Sequence, residues 1–112
     1  MEEIKLSWTY NEFKAYLLIY AAESNQVITD EEKEFIEDQF DSLLIKTMQK
    51  EFNDDNDYER IQKIMAYIEQ NNLLKKDLDS LLDDIKAVYL SDGKYDSTEQ
   101  GVFHVLEKLF KM

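Results

Sequence analysis

The sequence predicts an all-α fold, a compact bundle of about six helices built from two pseudo-repeated helical hairpins. Three observations carry that expectation. The chain has no Pro and only two Gly, Gly93 and Gly101, so little interrupts a helix. Apolar residues recur at helical spacing, as in the i, i+3, i+4, i+7 stripe of Ile61, Ile64, Met65 and Ile68. The stretch from Val27 to Ile36 is echoed by that from Lys94 to Phe103. In each, an apolar residue leaves a polar turn (Ile28, Tyr95) and a capping residue follows (Thr29, Asp96). A Glu comes three places on (Glu32, Glu99), then an apolar pair (Phe35-Ile36, Val102-Phe103).

Trp8-Thr9-Tyr10-Asn11-Glu12-Phe13 opens the first helix. Thr9 and Glu12 have the spacing of a capping box, and Trp8 and Phe13 occupy the two positions of a hydrophobic staple. From Ala15 to Ala22 the helix is apolar nearly all round, which predicts a central helix buried on several sides. Ser24-Asn25-Gln26 breaks it. Thr29 opens a second helix with a capping box to Glu32, and Asp30, Glu31 and Glu32 fill its first turn, where the helix dipole favours negative charge. Phe35, Ile36 and Phe40 form its inward face. Phe40-Asp41-Ser42 is a kink or short turn, after which Leu44, Ile45, Met48 and Phe52 continue at helical spacing.

Asn53-Asp54-Asp55-Asn56-Asp57 reads as a solvated loop that caps the next helix. Its residue types suit a metal, but it has neither the Gly nor the bidentate Glu of a calcium loop. The Ile61 to Ile68 stripe predicts an amphipathic helix over residues 57–70, ended by Gln70-Asn71-Asn72. Leu78, Leu81, Leu82, Ile85, Val88 and Tyr89 form the most regular stripe, with Asp77, Asp79, Asp83 and Asp84 largely off that face. Ser91-Asp92-Gly93 stops this helix, and Asp96 caps the last one, which packs through Val102, Phe103, Leu106, Leu109 and Phe110. A constant offset pairs Leu18 with Ile85, Ala22 with Tyr89 and Glu32 with Glu99. That is a weak internal duplication, with too few copies for a solenoid.

At 112 residues the chain is expected to form a single domain, residues 1–112, large enough to bury a core without disulfides; it has no Cys. Acidic residues outnumber basic ones 25 to 13, for a net charge of −12. Such a chain is repelled by phosphate backbones and anionic membranes, so neither nucleic acid nor membrane is an expected partner. A hydrophobic fraction of 44% argues against disorder. The start lacks the pattern of a signal peptide and no apolar run has membrane-spanning length, which makes a cytoplasmic location the expectation. His104, the single His, reads as a boundary residue rather than the centre of a metal site or triad. Tyr16, Tyr20 and Tyr89 fall on core helices, with hydroxyls expected at the rim. No phosphate loop, nucleophile elbow or paired catalytic carboxylates stand out, so neither an enzyme nor a certain cofactor is expected.

The segments Leu17 to Glu32 and Ile85 to Glu99 resemble the TerB-like family, whose namesake is associated with tellurite resistance. The shared pattern is a long apolar helix, a turn of the Asp-Gly kind, an apolar residue, a cap, acidic residues and a second helix. The second segment carries Asp92-Gly93 at the turn; the first departs, with Asn25-Gln26. The resemblance implies an α-helical bundle acting as a non-enzymatic adaptor or sensor in a bacterial stress or metal-related response, through a protein partner or a divalent cation. Carried over by position, it implies Asp92, Glu32 and Glu99 as ligands for calcium or magnesium, with Asn25 removing one charge from the set. The charge alone supports an alternative, an acidic mimic of nucleic acid that blocks a basic groove on another protein. A mimic should carry rows of acids, whereas Lys interrupts them in Glu31-Glu32-Lys33-Glu34 and Lys75-Lys76-Asp77.

Overall fold

Capping chemistry sets where the first helix begins. In a computed structural model of the protein, the Thr9 amide donates to Glu12 Oε1 at 2.8 Å and the Glu12 amide donates to Thr9 Oγ1 at 3.2 Å. This is the capping box expected from the sequence, and it opens α1 (Tyr10–Glu23). The structure describes residues 7–23, 30–90 and 97–110, with only the backbone for 97–99. Five further helices follow: α2 (Asp30–Glu37), α3 (Ser42–Asp54), α4 (Asp57–Gln70), α5 (Lys75–Leu90) and α6 (Ser97–Phe110). The all-α bundle of six helices is thus observed, with no strand among the described residues. The expected caps Thr29 and Asp96 and the turn at Ser91-Asp92-Gly93 lie outside the described residues.

The core is organised around α1, where Phe13 and every residue from Ala15 to Ala22 are buried. A helix without a polar stripe has to be covered on several sides, and α2, α3, α4 and α5 all pack on it, while α6 packs on α5. All six residues of the α5 stripe are buried, and Leu18 and Ile85 are both fully enclosed. Tyr89 departs from expectation. Its hydroxyl is not at the rim but inside, donating to the Ala21 carbonyl at 2.7 Å. That carbonyl sits in the last turn of α1, where backbone acceptors have no intrahelical donor. Lys14 and Asp84, 3.1 Å apart at the surface, add a partly exposed ion pair between α1 and α5.

The connections are tighter than the composition suggests. The five-residue loop expected at residues 53–57 shrinks to Asp55 and Asn56, because α3 runs through Asp54 and α4 starts at Asp57. Asn56 accounts for the sharp restart: its Oδ1 accepts the Glu59 amide at 2.8 Å and its own amide donates to Glu59 Oε1 at 2.9 Å. Asp55 is not solvated either; its side chain is 10% exposed. Phe40-Asp41-Ser42 marks a true break between α2 and α3. α4 ends at Gln70, and Asn72 takes the left-handed conformation (φ 50°) that Asn tolerates better than most residues. On α4 the buried residues are Ile64 and Tyr67. Tyr67 falls outside the Ile stripe and stacks on Phe13 at 4.1 Å between ring centroids.

α1 ends at Glu23 and α5 at Leu90, while α2 begins at Asp30 and α6 at Ser97. These positions are paired by the sequence offset, although α2 has 8 residues and α6 has 14. No described helix is long and apolar enough to cross a membrane. Replacing Leu18 or Ile85 with Ala is expected to destabilise the fold by about 2–5 kcal/mol each, the range for a large buried aliphatic. Urea melts check this: both midpoints should fall, and curves that overlay the parent would contradict the packing described.

Candidate functional site

The inward face of α2 carries Glu32, Phe35 and Ile36 at i, i+3, i+4 spacing. Ile36 is buried and Phe35 half-buried, and Glu32 is fully buried, alone in this among the charged residues described. Removing a carboxylate from water costs stability, and Glu32 is buried on α2, which packs on α1 and α5. Of the other two residues nominated for a cation, Asp92 lies outside the described residues. Glu99 falls in the first turn of α6, and its side chain is not among those described. Among the described residues no three His, Asp or Glu side chains gather as a metal centre requires. His104 is a surface residue, 64% exposed, with Nδ1 3.8 Å from Glu107 Oε1.

A second feature is a cleft of about 850 Å³ between α2 and α3, floored by α1. Its apolar base is Ile19 of α1, Ile36 of α2 and Ile45 of α3. On α3, Ile45, Gln49 and Asn53 form one row at i, i+4, i+8 and Lys46, Lys50 and Asp54 form the next; α2 contributes Lys33 and Glu37 opposite. Gln49 Nε2 donates to Glu23 Oε2 at 2.9 Å and to Asn53 Oδ1 at 3.0 Å, tying the end of α1 to α3. Lys33, Lys46 and Lys50 are exposed and form no ion pair with a described residue. A smaller recess of about 320 Å³ adjoins Glu23 and Asn53 and contains Arg60. Arg60 is engaged structurally there. Its guanidinium lies 3.7 Å over the Phe52 ring, and its Nε and Nη2 donate to the Phe52 carbonyl at 3.1 and 2.9 Å, closing the C-terminal end of α3.

A third group ties α1, α3 and α4 together. Lys63 Nζ stands 2.8 Å from Asp55 Oδ2 and 3.1 Å from Glu51 Oε2. The Tyr16 hydroxyl donates to Asp55 Oδ2 at 2.7 Å, and Trp8 Nε1 donates to Glu51 Oε1 at 3.4 Å. Burial pushes the Tyr16 hydroxyl well above its ordinary pKa, and its hydrogen bond to the Asp55 carboxylate pushes the same way. For Lys63, burial favours the neutral amine, but hydrogen bonds to Asp55 and Glu51 outweigh it and raise the pKa. Near neutral pH this is a locked ion cluster with a neutral tyrosine donor rather than an acid–base pair.

Sequence reasoning missed both the cleft and the cluster. Lys46 and Lys50 at i, i+4 were a legible signal for the cleft, since adjacent like charges on one helix face are mildly unfavourable in isolation. Nothing local links Tyr16 to Asp55. No family model, no curated protein and no solved structure matches the chain. Fold and sites together define an all-α bundle with an amphipathic cleft and a buried carboxylate.

The cluster generates an alkaline stability limit. Tyr16 and Lys63 both have folded-state pKa values above their unfolded ones, so their contribution is present below about pH 10 and is lost as the pH rises beyond it. The urea midpoint of the parent should fall steeply above that pH. A Tyr16→Phe, Lys63→Met double variant should start lower and fall less steeply. Equal slopes would show that the cluster does not set the limit.

Proposed function

We propose that the chain is a small acidic TerB-like domain, a non-enzymatic cytoplasmic adaptor or sensor in a bacterial stress response, acting by binding a protein partner or a divalent cation. The observation that supports this over nucleic-acid mimicry is the distribution of charge. Lys63 sits between Glu51 and Asp55, Lys14 faces Asp84, and Lys33, Lys46 and Lys50 alternate with Glu23, Glu37 and Asp54 around the cleft. A mimic needs acids in rows that follow a phosphate backbone; a mosaic of both signs suits recognition of another protein, where alternating charges fix register and exclude wrong partners. Affinity capture with the whole chain tests the distinction. An adaptor should retain a specific protein that duplex DNA fails to displace, and release of that protein by duplex DNA would replace this reading with mimicry.

The cation side of the proposal rests on Glu32, a carboxylate enclosed in the bundle. A calcium or magnesium ion held by Glu32, Asp92 and Glu99 would offset the repulsion between gathered carboxylates and stabilise the folded state by mass action. General salt screening also stabilises a chain of charge −12, so the comparison is made at matched ionic strength. Calcium chloride should raise the melting temperature more than sodium chloride does, and Asp92→Asn or Glu32→Gln should erase the difference. Identical melting curves in the two salts would rule out the cation.

A further inference from the structure

We propose that the cleft between α1, α2 and α3 is a binding site for an amphipathic monoanion, an aliphatic body carrying one carboxylate. This rests on the proposal that the chain is a binding domain and adds a small-molecule ligand, at a site separate from Glu32, to the protein partner or cation proposed above. The cleft volume of about 850 Å³ lies in the range of small-ligand pockets, which are mainly apolar with a few placed polar groups. Half-buried Ile45 provides apolar surface, and the buried Ile19 and Ile36 lie beneath it at the base. Lys33, Lys46 and Lys50 also line the cleft and are exposed, and lysine side chains commonly lay an aliphatic stem along apolar surface while the ammonium stays in water.

Two features select the sign of the ligand. Lys46 and Lys50 are like charges one turn apart on α3, and Lys33 lines the opposite wall. A single anion placed among them relieves that juxtaposition and gains charge-assisted hydrogen bonds. None of the three is taken up by an ion pair with a described residue, although the chain holds 25 acidic residues. The acids at the cleft select the charge number. Glu23 is hydrogen-bonded by Gln49, and Glu37 and Asp54 stand at the C-terminal ends of α2 and α3. Repulsion from those three carboxylates grows with ligand charge, so a polyanion such as a nucleotide is opposed more strongly than a lone carboxylate with an alkyl chain.

The test is an amide NMR titration of the whole chain with decanoate and, separately, with decylammonium, each below its micelle concentration. A chain of net charge −12 attracts the cation everywhere, so preference for the anion has to come from a local site. Decanoate should give saturable shifts centred on Ile19, Ile36 and Ile45, and decylammonium should not. Lys46→Glu with Lys50→Glu changes two exposed side chains and should weaken decanoate by about tenfold or more, as expected for losing charge-assisted bonds. Lys33→Gln on the other wall should weaken it in the same direction. Shifts located elsewhere, equal binding of the two amphiphiles at the cleft, or affinity unchanged in the lysine variants would overturn the inference. So would the absence of decanoate binding, and that result would leave the binding-domain proposal standing, because partner capture and calcium-dependent melting are read without decanoate.

Discussion

Burial of α1 on nearly every side is the constraint from which the rest of the bundle follows. Its run from Ala15 to Ala22 offers no polar stripe to water, so each neighbouring helix has to supply an apolar face of its own. The regular stripe of α5, the narrower one of α4 and the short inward face of α2 are complementary surfaces fitted to that requirement. The backbone of α1 is served as well. Its last turn leaves carbonyls without intrahelical donors, and Tyr89 reaches across from α5 to satisfy Ala21. A tyrosine at that place does two jobs, filling volume with its ring and donating from its hydroxyl to a carbonyl in the last turn of α1.

Around this centre, polar groups tie α1, α3 and α4 to one another. Trp8, Tyr16, Glu51, Asp55 and Lys63 join the start of α1, the end of α3 and the start of α4. Arg60 closes the same junction from the other side through the Phe52 ring and carbonyl. The result is a junction in which only two residues, Asp55 and Asn56, separate two helices. The short connection is held by the Asp55 amide, which donates to the Glu51 and Phe52 carbonyls, by the Asn56–Glu59 capping box and by the partners of the Asp55 side chain.

Much of the fold was legible because it is written in local patterns. Helical periodicity located α4 and α5, and the Thr9–Glu12 box located the start of α1, since both depend on neighbours within one or two turns. The failures share a physical cause. The acidic and amide residues at 53–57 read as a loop because Asp and Asn favour turns, yet α3 continues through Asp54, and Asp55 is enclosed by Tyr16 of α1 and Lys63 of α4. Tyr67 was overlooked because its burial depends on Phe13. Of the nominated site residues, Glu32 stands inside the bundle rather than at an exposed helix start, an outcome that acidic composition alone would not suggest. The cleft, like the ion cluster, is made by three helices, so beyond the Lys46 and Lys50 pair no single one of them reveals it.

The floor of the cleft includes Ile19, a residue of the central helix, whereas its rim is made of exposed side chains on α2 and α3. Substitutions on the floor and on the rim therefore carry different structural costs. Changes at Ile19 alter the packing on which the whole bundle depends, so the shape of the recess is tied to foldability and is slow to drift. Lys33, Lys46 and Lys50 are exposed and outside any ion pair with a described residue, so the charge around the recess can be rewritten at little structural cost. A scaffold divided in this way can keep one recess through descent while its ligand preference diverges.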